Sequence, residues 1–267
     1  MLNTNTKKHA DYVYQFIESE NYNNRNPGAQ IRGVILHHTA TTDLMQTIDI
    51  LTKKESQVSA HFLVDKNGDI YQLVETEHKA WHAGISNWRD LGQKNAVAPG
   101  NVSCNHTTVG IEIMNDGSNE AFTENQYDAV VKICNNLKLQ YTAIEDCNIV
   151  GHSDIAPGRK IDPHVGFNWK LLFDRGIGIY SDKVVQKVES IWRHKDIAPG
   201  VKVLKDKLHK FGFHLNTGSE EYNLELDNVV KAFKRHHCPE SYDDHNTLGW
   251  DTLAEVRLND LLYNYYE

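Results

Sequence analysis

Apolar and polar positions along this chain change period several times, and each change marks an element. Residues 31–39, IRGVILHHT, hold a β-branched and aliphatic run that ends in polar residues, which predicts a short buried strand. The stretches SAHFLV (59–64) and DIYQLV (69–74) flank Lys66-Asn67-Gly68, a glycine-containing turn, and predict a hairpin. TVGIEIM, 108–114, reads as another strand. From Thr123 to Tyr141 the apolar positions Tyr127, Val130, Val131, Cys134, Leu137 and Leu139 follow helical spacing. Thr123, with Gln126 three residues on, supplies the N-cap. Residues 147–151 predict a last short strand ahead of a loop punctuated by Pro and Gly. Strands mixed with helices predict an α/β layer fold, its central β-sheet mixed and flanked by helices.

Near residues 176–200 the pattern changes. Gly176 and Gly178, then Pro199-Gly200, bracket a short helix-like stretch, and the chain beyond it is helical in period. Val201, Leu204, Leu208 and Phe211 share one face; Leu226, Val229, Val230 and Phe233 share a second; Leu253, Val256 and Leu261 suggest a third helix. The expected division is a first domain over residues 1–180 and a small three-helix domain over 181–267.

The 267 residues are enough for one large domain or two modest ones, and 40% hydrophobic with 24% charged residues is an ordinary globular composition. A net charge of −8 without a long Lys/Arg run argues against nucleic acid as a partner. The N-terminal stretch 1–20 has Asp11, Glu18 and Glu20 where a signal peptide would be apolar, and no stretch approaches a membrane span. A chain that had already lost a leader would look the same, so both an envelope and a cytoplasmic location stay open. Cys104, Cys134, Cys147 and Cys238 are widely spread and form no C-x-x-C pair, which predicts reduced, partly buried thiols.

Fifteen histidines are many for this length, and the informative ones sit beside other metal-competent groups. His37-His38 ends a strand, where neighbouring side chains point to opposite faces, so one of the two can face a given site. Gly151-His152-Ser153-Asp154 follows another strand. Ten residues beyond His152, Asp162 precedes Pro163, which restricts it to an extended backbone. Two imidazoles and a carboxylate match a catalytic zinc site with its fourth position open. Spacing alone does not single out that reading from chance placement of His and Asp after strands.

The segments VILHHTAT, SAHFLVDKNGDIYQLV, KAWHAG, TTVGIEIMN and GHSDIAPGRKIDPH occur in this order. Together they resemble the zinc N-acetylmuramoyl-L-alanine amidases related to peptidoglycan recognition proteins, in particular the broad-specificity branch with a C-terminal helical domain. The resemblance is strong over residues 30–175 and weaker beyond. It implies one zinc ion held by His37, His152 and Asp162, Glu112 as acidic catalytic residue, and Lys160 as the basic residue two positions before the aspartate. It also puts His82 at the rim of the substrate cleft, with Trp81 beside it. The implied reaction is hydrolysis of the amide between N-acetylmuramic acid, anhydro forms included, and L-alanine of the stem peptide. Glu112 would be general base, and the oxyanion would be stabilised by zinc and Lys160. Peptidoglycan and muropeptides are the implied partners of a monomer.

Each role has a structural alternative. Glu112 between Ile111 and Ile113 could be an outward-facing solvated carboxylate, and Arg159-Lys160 a plain solvated basic pair. His61 reads as structural rather than ligating, and Trp81 and Trp88 as core aromatics or a sugar-stacking rim. The C-terminal pattern resembles small peptidoglycan-binding domains, with a purely structural appendage as the alternative. Rival functions are a recognition module that binds without cutting, and a recycling amidase restricted to anhydro fragments.

Overall fold

The computed structural model describes residues 5–9, 11–94, 102–118 and 120–266; residues 1–4 of the N-terminal stretch lie outside them. Along the chain run β1 (Asn5–Lys8), β2 (Val13–Phe16), β3 (Tyr22–Asn24), β4 (Gly33–His38), helix α1 (Leu44–Thr52), β5 (Phe62–Val64), β6 (Ile70–Gln72) and β7 (His78–Ala80). Next come β8 (Gln93–Lys94), β9 (Val102–Ser103), β10 (Thr108–Ile113), α2 (Glu124–Gln140), β11 (Ile149–Gly151), α3 (His152–Ile155) and α4 (Trp169–Asp174). The last part holds β12 (Ser190–Trp192), α5 (Pro199–Phe211), α6 (Leu224–His237), β13 (Trp250–Asp251) and α7 (Thr252–Tyr265).

Seven strands form one sheet in the order β1-β2-β6-β5-β10-β4-β11. The β5–β10, β10–β4 and β4–β11 pairs are parallel, whereas β5–β6 and β1–β2 are antiparallel, so the sheet is mixed as expected. Val34, Ile35, Leu36, Val109 and Ile111 are buried on both faces of the central strands, which explains their continuous apolar runs. Helix α2 starts with the full capping box: Thr123 Oγ1 accepts the Gln126 N–H at 3.2 Å, and Gln126 Oε1 accepts the Thr123 N–H at 2.9 Å. All four cysteines are buried and free.

The stretch between Gly178 and Pro199 is not a helix. It runs extended into β12, which pairs with β13 some sixty residues later, and Pro199 is the first residue of α5 rather than a closing bracket. Proline is favoured there because its missing N–H would be unpaired in a first turn anyway.

Helices α5, α6 and α7 pack on one another, and the core between them runs on into the sheet region. Leu204, Phe211, Val229, Phe233, Trp250 and Leu258 belong to one hydrophobic cluster with Ile35, Trp88, Val150 and Ile155 of the sheet region. Trp88 is 1% exposed and meets Phe213 edge-on at 4.9 Å, so it is a core aromatic and not a sugar-stacking rim. A chain ending near Ser181 would uncover Trp88, Ile155 and Val150 together. At about 1.5–3 kcal/mol for each large side chain, the loss is a sizeable part of a typical total stability. Such a truncation is therefore expected to unfold at lower temperature and bind a hydrophobic dye; a two-state melt at the full chain's temperature would contradict this.

Candidate active site and metal centre

Parallel strands β4, β10 and β11 end on the same edge of the sheet, the edge where open α/β folds present side chains to ligands. In the β4–β10 register Glu112 stands opposite His37, and partners in register share a face. His37 thus comes from a strand end with Glu112 beside it. His152 follows directly on β11 as the first residue of α3, and Asp162 comes from the loop beyond.

The three donors converge. His37 Nδ1 lies 2.9 Å from Asp162 Oδ2 and 3.0 Å from His152 Nδ1, and His152 Nδ1 lies 3.0 Å from the same carboxylate oxygen. All three residues are buried. Lone pairs this close repel unless a proton or a cation lies between them, and two nitrogens with one oxygen are donors that suit zinc. The outer nitrogens are also held. His152 Nε2 lies 3.1 Å from the Ala83 carbonyl, to which its N–H donates. His37 Nε2 lies 3.1 Å from His82 Nδ1, and His82 Nε2 lies 3.4 Å from Thr108 Oγ1. These partners leave each Nδ1 lone pair free to ligate, the usual arrangement behind a metal-bound histidine. Burial pushes the His152 imidazole down to about 4, and the neighbouring His37 adds to it. Burial would raise the Asp162 carboxyl, but the His152 and His37 rings beside it outweigh burial and hold the group well below its ordinary range. Neutral imidazoles and an ionised carboxylate are the protonation states a cation requires. The three residues can hold a metal ion.

A cavity of about 560 Å3 opens over this centre. Glu112, Lys160 and Trp81 line it beside the donors, and Ile50, Leu51 and Val58 supply an apolar wall. Burial pushes the Glu112 carboxyl up to about 7; Asp162 also raises it, while His37 and Lys160 oppose. Its Oε2 is shut off from solvent without a hydrogen-bond partner, so Glu112 is not an outward-facing solvated carboxylate. Trp81 is partly exposed at the cavity edge, its Nε1 donating to Asn23 Oδ1 at 2.8 Å.

His82 borders the cavity but is 8% exposed, lying behind His37; a Cβ on Gly110 would meet its ring at 2.5 Å. His82 thus both lines the cavity and lies against a donor, its Nδ1 3.1 Å from His37 Nε2. His61 is buried deeper, with Nδ1 accepting the Gly110 N–H at 2.9 Å, a structural position. His38 turns to the other side, where its Nδ1 accepts the His164 N–H at 3.3 Å.

Arg159 was legible only as one half of a basic pair. Its Nη2 donates to Ala83 O at 2.8 Å and Ile85 O at 2.6 Å, which straps the loop to the carbonyl that also holds His152. Nothing in the spacing signals that contact, because its acceptors are backbone atoms far away in sequence.

A family model described as N-acetylmuramoyl-L-alanine amidase matches residues 27–165. The N-acetylmuramoyl-L-alanine amidase AmiD of Escherichia coli K12 is 30% identical over 244 residues, 86% of this chain and 83% of that protein. The 1,6-anhydro-N-acetylmuramyl-L-alanine amidase AmpD of Haemophilus influenzae is 41% identical over 117 residues, 43% of this chain and 57% of its own length. Among solved structures, the E. coli AmiD complex with anhydro-N-acetylmuramic acid-L-Ala-D-gamma-Glu-L-Lys superposes with a TM-score of 0.71 at 27% identity. It covers 97% of this chain and 98% of that one. AmpDh3 of Pseudomonas aeruginosa with anhydromuramic pentapeptide gives 0.70 at 26% identity, over 93% and 98%. With the His37–His152–Asp162 cluster, the register-matched carboxylate and these matches together, the chain belongs to the N-acetylmuramoyl-L-alanine amidase family.

Proposed function

We propose that this enzyme hydrolyses the amide between N-acetylmuramic acid, including its 1,6-anhydro form, and L-alanine of the stem peptide, with one zinc ion held by His37, His152 and Asp162. The observation that carries this reading is the convergence of those three donors in one cavity with Glu112 in register beside His37. Zinc bound there would supply Lewis acidity toward the scissile carbonyl and its attacking water.

The chain's own groups do the rest. Glu112, with its carboxyl raised to about 7, takes a proton from the attacking water near neutral pH and can return it to the leaving L-alanine amine. Lys160 lines the same cavity and offers an ammonium to the negative charge that develops on the carbonyl oxygen. Trp81 and the Ile50–Leu51 wall give the substrate an apolar surface to lie on, while His82 keeps His37 in its ligating tautomer. The chain from residue 181 on forms a second unit that shares a core with the first, so any wall-binding role is exercised as one body with the catalytic unit.

The test is zinc-loaded protein with anhydro-N-acetylmuramyl peptide, products identified by mass. Release of anhydro-N-acetylmuramic acid and a peptide with free L-alanine N-terminus is expected. Tight binding without release would make it a recognition module instead. Intact sacculi run in parallel separate a polymer-active enzyme from one restricted to fragments. Lys160→Ala should keep zinc and lower kcat by about 10²–10³, the scale of losing one oxyanion donor; an unchanged kcat would remove Lys160 from the mechanism.

A further inference from the structure

The loop from Gly151 to Asp162 carries two of the three metal donors and Lys160, and helix α6 packs against it at two points. Asp154 Oδ2 accepts the Gly151 N–H at 2.7 Å, closing the turn that aims His152. The same oxygen lies 2.8 Å from His236 Nδ1 of α6, whose N–H donates to it. Both side chains are buried, at 2% and 3% exposure. The His236 ring is fixed by stacking against Trp169, centroids 3.6 Å apart, and against His237 at 3.9 Å. Eight residues earlier on the helix, Asn228 lies so close to Gly158 that a Cβ there would meet its amide nitrogen at 2.4 Å. Gly158 stands two residues before Lys160 with φ +77°.

His152 opens a helix of four residues, too short to hold its own direction. Its turn has no slack: a Cβ on Gly151 would meet Pro163 at 2.9 Å and Trp169 at 3.3 Å. The Ser153 N–H donates to the Asp162 carbonyl at 2.9 Å, so displacement of this turn moves both donors. Asp154 Oδ1 is buried without a partner, which leaves Oδ2 to carry the whole compensation of the carboxylate. Without His236 that carboxylate would keep only the Gly151 N–H in a buried setting, a cost that favours its turning away and releasing the turn.

We propose that α6 is a positioning element of the metal centre, holding the Gly151–His152 turn through the His236–Asp154 hydrogen bond and thereby raising the affinity for zinc. The inference rests on His37, His152 and Asp162 being the zinc site. His236 touches neither donors nor substrate; it acts through Asp154.

The experiment measures zinc affinity of the full chain by competition with a chromogenic chelator, alongside thermal unfolding of the metal-free protein. His236→Phe keeps a stacking ring and removes the donor; His236→Asn restores an N–H near the Nδ1 position and loses the stack. The phenylalanine variant is expected to bind zinc about 10–100-fold more weakly, the range for lost support behind a ligand. The asparagine variant should recover most of that loss even if it melts earlier. A mere packing role predicts zinc affinity equal in all three proteins, with stability alone following the stack; that result overturns the proposal. Should His236→Phe fail to fold, Asp154→Leu, which removes the acceptor at similar size, tests the other side of the bond, and wild-type zinc affinity there overturns it equally. If the wild-type chain itself takes up no zinc, the metal reading fails rather than the role of α6.

Discussion

Glu112→Gln is expected to leave zinc content near that of the wild type while kcat falls by about two to four orders of magnitude, the scale of losing a general base. The two side chains are isosteric, so the β10 backbone, its register with His37 and the shape of the cavity persist. What disappears is a group able to accept a proton. The carboxyl is suited to that task because burial raises it to about 7, within reach of neutral pH in both directions of transfer. Its Oε2 has no protein partner to lose, so the substitution breaks no structural hydrogen bond at that atom. Metal analysis and turnover of an anhydro-muropeptide measured on the same preparation separate the two effects. Turnover within a few fold of wild type would move the acid/base role to another group, and loss of zinc would mean Glu112 is itself a donor.

The parts of this protein that the sequence made legible are those whose signals are local. The central strands β4 and β10 announce themselves by apolar runs buried on both faces, and α2 by a capping box that forms as its sequence requires. Elements whose reason lies elsewhere in the chain were not legible. β1 (NTKK) is an exposed edge strand with no apolar alternation, held by its pairing with β2 and by the Lys7–Glu75 ion pair. β12 is strand rather than helix because Trp250 and Asp251 arrive beside it from far along the chain. The site divides in the same way. Strand ends and the Pro-restricted aspartate pointed to donors, whereas the roles of His82, Arg159 and His236 depend on what lies behind each donor. Trp81 and Trp88 look alike in sequence; a cavity edge and a Phe211–Phe213 cluster make them different.

Removing a donor should cost more than removing support behind it. Asp162→Ala and His152→Ala are each expected to lose both zinc and turnover, with affinity falling by well over the roughly 100-fold that a supporting residue can account for. Asp162 is the more severe case. Its single Oδ2 lies within 3.0 Å of both imidazole nitrogens, and without it the two Nδ1 atoms are left 3.0 Å apart with no carboxylate between them. In the intact protein a chelator should abolish activity and added zinc restore it, since the His152 imidazole and the Asp162 carboxyl are both held in the deprotonated forms that bind a cation. The neighbouring His38 provides the control. It is one residue from a donor and also imidazole, but strand alternation turns it toward His164, whose ring centroid is 5.4 Å away, and its Nδ1 accepts that residue's N–H. His38→Ala should therefore keep zinc at wild-type stoichiometry. If His38→Ala loses the metal and His37→Ala retains it, the donor comes from the opposite face of β4, and the pairing of Glu112 with the centre falls with it.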